Sequence, residues 1–175
     1  LTTLAHGAEI IGQGNLTHRV QITSGDEFDL LANTFNRMAA LLEEDILKRT
    51  NVEKTLRENQ IIFDSFLENS PVYIFFKDRE IRSLMLSKNY EQSLGMPLKD
   101  IRGKSMDELF PSDLAKRMIS DDKRILREGK AITIIEDFND RIFETTKFPI
   151  FIDGKAKLLA GFTIDITKRK QNEEE

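Results

Sequence analysis

From Phe28 onward, apolar residues recur at alternating steps of three and four: Phe28, Leu31, Phe35, Met38 and Leu42, then Val52, Leu56, Phe63 and Phe66. That spacing predicts one long helix from Asp26 to about Asn69, with a seam of the kind that joins the strands of a two-stranded coiled coil. At a rise of about 1.5 Å per residue, the helix would run on the order of 65 Å. The same phase puts polar residues at three seam positions, Asp45, Arg49 and Asn59. Ile46 lies one step off the phase that selects Asp45, so two registers compete there. The stretch reads either as solvated helix with one imperfect heptad or as a built-in register switch, because polar seam residues set register at a cost in stability.

Ahead of the long helix, Leu1, Leu4, Ala8 and Ile11 mark a short amphipathic helix. Gly12-Gln13-Gly14-Asn15 ends it, glycine supplying the backbone freedom of a helix stop. Leu16, Val20 and Ile22 are the anchors of an extended connector. Ser24 or Asp26 is placed to cap the long helix, and Glu27 to favour its dipole. Helix, connector and helix with two apolar seams and no other core predict a partner: two copies would form a parallel four-helix bundle.

Three ordered anchors carry a resemblance: Gly14-Asn15-Leu16-Thr17-His18-Arg19-Val20, Ser24-Gly25-Asp26-Glu27-Phe28 and Leu31-Ala32-Asn33-Thr34-Phe35-Asn36-Arg37-Met38. The set resembles a HAMP domain. The resemblance implies two helices just inside a membrane that relay movement from a transmembrane helix. The family's proline at the start of the first helix is absent, and Asp29 stands where many members have a small residue. Leu1 opens the chain inside a helical pattern and is not methionine, so the chain reads as an excised piece.

Ser70-Pro71 ends the long helix, since proline cannot continue it. Strands are predicted over Val72 to Phe76 and Ile81 to Leu86, followed by short helical pieces around Asn89, Leu98 and Met106. Pro111-Ser112-Asp113 opens a longer helix to Glu128, with Leu114, Met118, Ile125 and Leu126 inward. Three strands follow, Ala131 to Phe138, Arg141 to Ile152 and Lys157 to Asp165, joined by turns at Asn139-Asp140 and Asp153-Gly154-Lys155. A charged helix starts at Thr167. The class is α+β with one five-stranded antiparallel sheet, set after a helical bundle and a long connecting helix. Leu67 to Pro71, Lys77-Asp78, Asn89, Gly95, Ile101 to Ser105, Phe110-Pro111 and the ending Gly161 to Lys170 resemble a PAS domain. Its Asp165-Ile166-Thr167 triplet is similar to that of PAS domains which pass their state to a following helix; plain helix capping accounts for the same residues. The expected organisation is a HAMP relay over 1–44, a signalling helix over 45–66, a PAS domain over 67–167 and the start of an output helix over 168–175.

Composition narrows the function. The net charge of −4 comes from residues 1–44, and argues against nucleic-acid binding. The chain has no cysteine, which excludes disulfides, thiolate metal sites and a cysteinyl-flavin adduct. His6 and His18 both fall outside the PAS-like region, so a histidine-ligated haem is not expected there and no metal site is visible. No catalytic set stands out. The acid pairs Asp121-Asp122 and Glu136-Asp137 read as solvated ends. Met118, Ile125, Ile132, Ile134, Phe143 and Phe162 are candidate walls of a ligand cavity, or plain core; Tyr73, Tyr90, Arg102 and Lys147 are candidates to orient a polar ligand. Candidate relay residues are Glu27, Phe28, Asp45, Ile46, Arg49, Asp165 and Thr167.

The two resemblances together imply a non-catalytic relay and sensor segment of a bacterial membrane receptor, on the cytoplasmic side of the inner membrane. The piece itself would be soluble. It would work as a parallel homodimer, between an upstream transmembrane helix and a downstream output domain. The expected output is a histidine kinase of a two-component system; the alternative is a diguanylate cyclase with the PAS domain as ligand sensor. A small-molecule ligand of the PAS unit is among the expected partners.

Overall fold

A computed structural model describes residues 2–22, 25 and 27–173. Leu1, Ser24 and Asp26 lie outside the described residues, and with them the apolar start of the first helix and both proposed caps of the long one. The chain forms two compact units that divide between Ile61 and Ile62.

The first unit holds α1 (Thr2–Gly12), a connector and most of α2 (Glu27–Asn69). Its core is Leu4, Ile11, Val20, Ala32 and Ala39, with Leu16, Ile22 and Phe35 packed against it. Small residues at 32 and 39 let α1 and the connector approach α2 closely. Asn36 then fastens the connector: Val20 N–H donates to Asn36 Oδ1 at 2.7 Å, and Asn36 Nδ2 donates to Val20 O at 2.8 Å. Gly7 is required on α1, because a Cβ there would run into the Val20 side chain. Leu31, Met38, Leu42, Ile46, Val52 and Leu56 remain exposed on α2 in the single chain.

The second unit is a five-stranded antiparallel sheet in the order β2-β1-β5-β4-β3. The strands are β1 (Tyr73–Lys77), β2 (Ser83–Leu86), β3 (Ile132–Phe138), β4 (Arg141–Ile152) and β5 (Lys155–Asp165). Between β2 and β3 come α3 (Asn89–Leu94), α4 (Leu98–Ile101), α5 (Met106–Leu109) and α6 (Ser112–Glu128); α7 (Thr167–Glu173) follows β5. Both long hairpins close through two residues of positive φ, Asn139-Asp140 and Asp153-Gly154, the geometry that suits the twist of paired strands. Lys155 therefore belongs to β5, which begins earlier than the sequence pattern predicts.

The predicted second strand is shortened at its start because Ile81 adopts φ 62° inside a turn. Asp78 builds that turn, its Oδ1 accepting from the N–H groups of Glu80 and Arg82 at 3.0 and 2.8 Å. The core lies between the inner face of the sheet and the helices. Phe75, Leu86, Ile101, Ile125 and Leu159 form one part of it, and Ile81, Met106 and Ala115 another.

Candidate functional site

Strand alternation selects which residues face the helices. On β1 they are Tyr73, Phe75 and Lys77, whose register partners on β5 are Thr163, Gly161 and Leu159. On β4 they are Phe143, Thr145 and Lys147, paired with Glu136, Ile134 and Ile132 on β3. Gly161 makes room on this face: a Cβ there would meet the Phe75 ring, and would lie 2.7 Å from the Thr146 carbonyl oxygen. From the helix side, Leu114, Met118, Asp122 and Ile125 recur at steps of four, four and three, one face of α6. An acid thus stands in the middle of an apolar stripe.

That acid is the centre of the site. Asp122 is 0 % exposed, and each of its oxygens takes one lysine. Lys77 Nζ lies 2.6 Å from Oδ2 and Lys147 Nζ 2.8 Å from Oδ1. Both ammonium groups are buried as well. Lys77 Nζ also sits 5.0 Å from the centre of the Phe75 ring, in cation–π range. Loss of hydration pulls the Lys77 pKa below the ordinary lysine value, against the opposing pull of Asp122.

Beside this cluster lies a cavity in two lobes, of about 50 Å³ and about 80 Å³. The lobes share Tyr90, Phe110, Met118, Glu136, Thr145 and Thr163 as walls. Lys77, Lys147 and Ser83 line the first lobe; Tyr73, Leu114 and Phe143 line the second. Tyr73 contacts Tyr90 edge-on at 5.1 Å between ring centres, and Phe143 at 6.3 Å. Burial pushes the Tyr90 phenol well above its usual pKa, nearby Tyr73 adds to this, and a hydrogen bond with Thr163 opposes it. Tyr90 is therefore a neutral hydrogen-bonding group in this wall.

Of the residues expected to line a cavity, the structure brings Met118 and Phe143 to it, together with Tyr73, Tyr90 and Lys147. The other five candidates lie elsewhere. Ile125 is part of the packed core, with Ile132 against it. Ile134 shares the inner face but does not reach the lobes. Phe162 is opposite Thr146, on the other side of the sheet, and is 37 % exposed. Arg102 is exposed at the end of α4. The solvated reading of the two acid pairs fits exposed Asp137 and fails for buried Asp122, while Asp121 and Glu136 are half-buried and Glu136 lines the cavity. Lys77 and Asp122 are the residues of this cluster that sequence reasoning missed. The available signal was the position of Asp122 within the apolar stripe of α6.

The relay candidates fall at two places. On α2, Glu27 stands exposed in the first turn and Phe28 is half-buried. Asp45 and Arg49 pair with each other at 2.9 Å along the same helix, and Ile46 is exposed. At the other end, Asp165 Oδ1 accepts from Thr167 N–H at 3.0 Å and from Thr167 Oγ1 at 2.5 Å. Thr167 Oγ1 in turn accepts from Ile142 N–H at 2.9 Å, and Ile166 N–H donates to Ile142 O at 2.8 Å. The start of α7 is thereby fastened to the start of β4. The Thr167 hydroxyl, then its N–H, hold the Asp165 carboxyl below the usual range.

Comparison with known proteins agrees with this architecture. The family described as PAS fold matches residues 67–171, and the HAMP domain family matches residues 1–44. A sensor-like histidine kinase, ycf26 of Pyropia yezoensis, is 23% identical over 180 residues, covering 98% of this chain and 27% of its own length. The chain thus spans about a quarter of that relative. The PAS domain of BvgS from Bordetella pertussis is similar at a TM-score of 0.56 and 21% identity, over 67% of this chain and 93% of that one. Vibrio cholerae VqmA is similar at a TM-score of 0.54 and 21% identity, over 63% of this chain and 52% of that one.

Proposed function

Because the chain belongs to the PAS fold family, with a HAMP domain ahead of its PAS unit, we propose that it is the relay and sensing segment of a membrane-anchored receptor that works as a parallel homodimer. One observation carries the reading. Helix α2 is unbroken over Glu27–Asn69 and leaves its apolar seam uncovered in the single chain. An exposed stripe of that length on one helix is stable when a second copy covers it. The HAMP helices receive a small displacement from a transmembrane helix, α2 carries it, and the Asp165–Thr167 junction hands it to an output helix. Glu27 and Phe28 start the path, and Asp45, Ile46 and Arg49 stand where its register is contested. Two packings within a few kcal/mol of each other let a modest input shift the population.

The organisation is a HAMP relay over 1–44, a signalling helix over 45–66, a PAS domain over 67–167 and an output linker from 168. The output is a histidine kinase, on the cytoplasmic side of the membrane. Similarity over nearly the whole chain to a sensor-like histidine kinase supports that output over a diguanylate cyclase. The test is disulfide crosslinking of single cysteine substitutions at Leu42, Asp45, Ile46, Arg49 and Val52, in a chain that has no cysteine of its own. The expected result is crosslinking along the seam, with the ratio of Asp45 to Ile46 crosslinks differing between the two signalling states of the parent receptor. An identical pattern in both states sinks the switch. Absence of crosslinks at every position sinks the homodimer.

A further inference from the structure

We propose that the two-lobed cavity is a receptor site for a short-chain monocarboxylate such as acetate or propionate, held by the N–H groups of Lys77 and Lys147 that Asp122 does not take. The inference rests on reading the PAS unit as the sensing part of the segment.

Charge and donor number carry the argument. Two ammonium groups and one carboxylate are buried in contact, so one positive charge has no partner in direct contact. Each ammonium has three donors, and Asp122 takes one from each. Burial pulls Lys77 below the ordinary lysine value while Glu136 acts on it at a distance, and an anion in contact with the remaining donors would favour the charged form. Both lysines line the first lobe. They already bracket one carboxylate through its two oxygens. A second carboxylate placed in the lobe would meet donors from both lysines.

Size and polarity select the rest of the ligand. Lobes of about 50 Å³ and about 80 Å³ suit a small ligand. Tyr73, Leu114 and Phe143 give the second lobe an apolar lining suited to a short alkyl group. Among the described residues, Glu136 is the one carboxylate on the cavity wall. It lies close enough to bias Lys77 electrostatically, but forms no ion pair with either lysine. It therefore works against a bound anion, and this gives the proposal a sign that a purely structural ion cluster lacks.

The experiment titrates acetate and propionate, with acetamide and chloride as controls, into the isotopically labelled chain in a carboxylate-free buffer. The readout is the amide resonances of Thr145, Lys147 and Thr163. Saturable shifts are expected with both carboxylates and not with acetamide or chloride. Glu136→Gln should bind several-fold tighter, because a like charge has gone. Lys147→Met should bind about tenfold or more weakly, the weight of one charge-assisted hydrogen bond. That variant keeps Lys77 and Asp122 as a balanced pair and should remain folded; if it unfolds, Glu136→Gln decides. No saturable shift in the unsubstituted chain, equal shifts with acetamide, saturation by chloride alone, or weaker binding by Glu136→Gln each overturn the proposal. Seam crosslinking on α2 reads the relay separately. Lost carboxylate binding with crosslinking intact removes this site and leaves the relay standing, and the reverse result removes the relay.

Discussion

Tyr73, four residues beyond the end of α2, pairs across the sheet with Thr163, four residues before α7. The segments that enter and leave the PAS unit thus continue from neighbouring strands, and both residues line the same cavity. Thr163 also shares a hydrogen bond with Thr145 at 2.9 Å and bonds Tyr90. Replacing Thr163 by valine keeps the shape and removes both partners. Urea unfolding should show a loss of about 1–3 kcal/mol, the cost of leaving buried hydroxyls unsatisfied.

Asp122 and its two lysines give an ordering of variants. Asp122→Asn leaves two buried ammonium groups side by side, and should cost about 3–5 kcal/mol. Lys147→Met leaves one balanced pair and should cost less than Asp122→Asn. Equal losses in chemical denaturation would mean that charge balance is not what holds the cluster.

Ile81 combines left-handed backbone with 1 % exposure. A glycine at that position would relieve about 1–2 kcal/mol of backbone strain. It would also remove a buried side chain whose loss costs about 2–5 kcal/mol in comparable large-to-small substitutions. Burial wins, so Ile81→Gly should lower the melting temperature. A rise would show that the turn, and not the core beneath it, limits stability.

The Asp165 junction is sensitive to acid. Its carboxyl is held below the usual value of 3.8, so the folded state favours the ionised form. The contribution is fully present above 3.8 and is lost as pH falls through the lowered folded value. An acid titration followed at the Thr167 amide should show no transition near 3.8 and a downfield-to-upfield change only below it. Asp165→Ala should abolish that transition and loosen α7 without unfolding the sheet.

Asn36 is predicted to hold the first unit together out of proportion to its size. Asn36→Leu keeps the volume but strips Val20 of both backbone partners. The Val20 amide should lose hydrogen-exchange protection, with a destabilisation of about 1–3 kcal/mol. Unchanged protection would show that the apolar core alone fixes the connector.

Much of this was legible in the chain itself. A seam spaced by three and four, Pro71 at its end, alternating strands and two short turns with positive φ are local signals, because helix and strand periods and turn geometry are set by neighbours in sequence. They determined the long helix, the α+β class and the order of elements. The ion cluster was not local. Asp122, Lys77 and Lys147 sit on three different elements, and adjacent Asp121 and Asp122 look alike in sequence. Only the placement of α6 against the inner face of the sheet turned one of them toward two lysines and the other toward Arg124, 3.0 Å away at the surface. The same packing sent Ile125 into the core, carried Phe162 to the opposite face and left Phe143 at the cavity. Sequence period fixes which side of an element a residue occupies, but which side meets the core, and what stands across from it there, depends on long-range pairing.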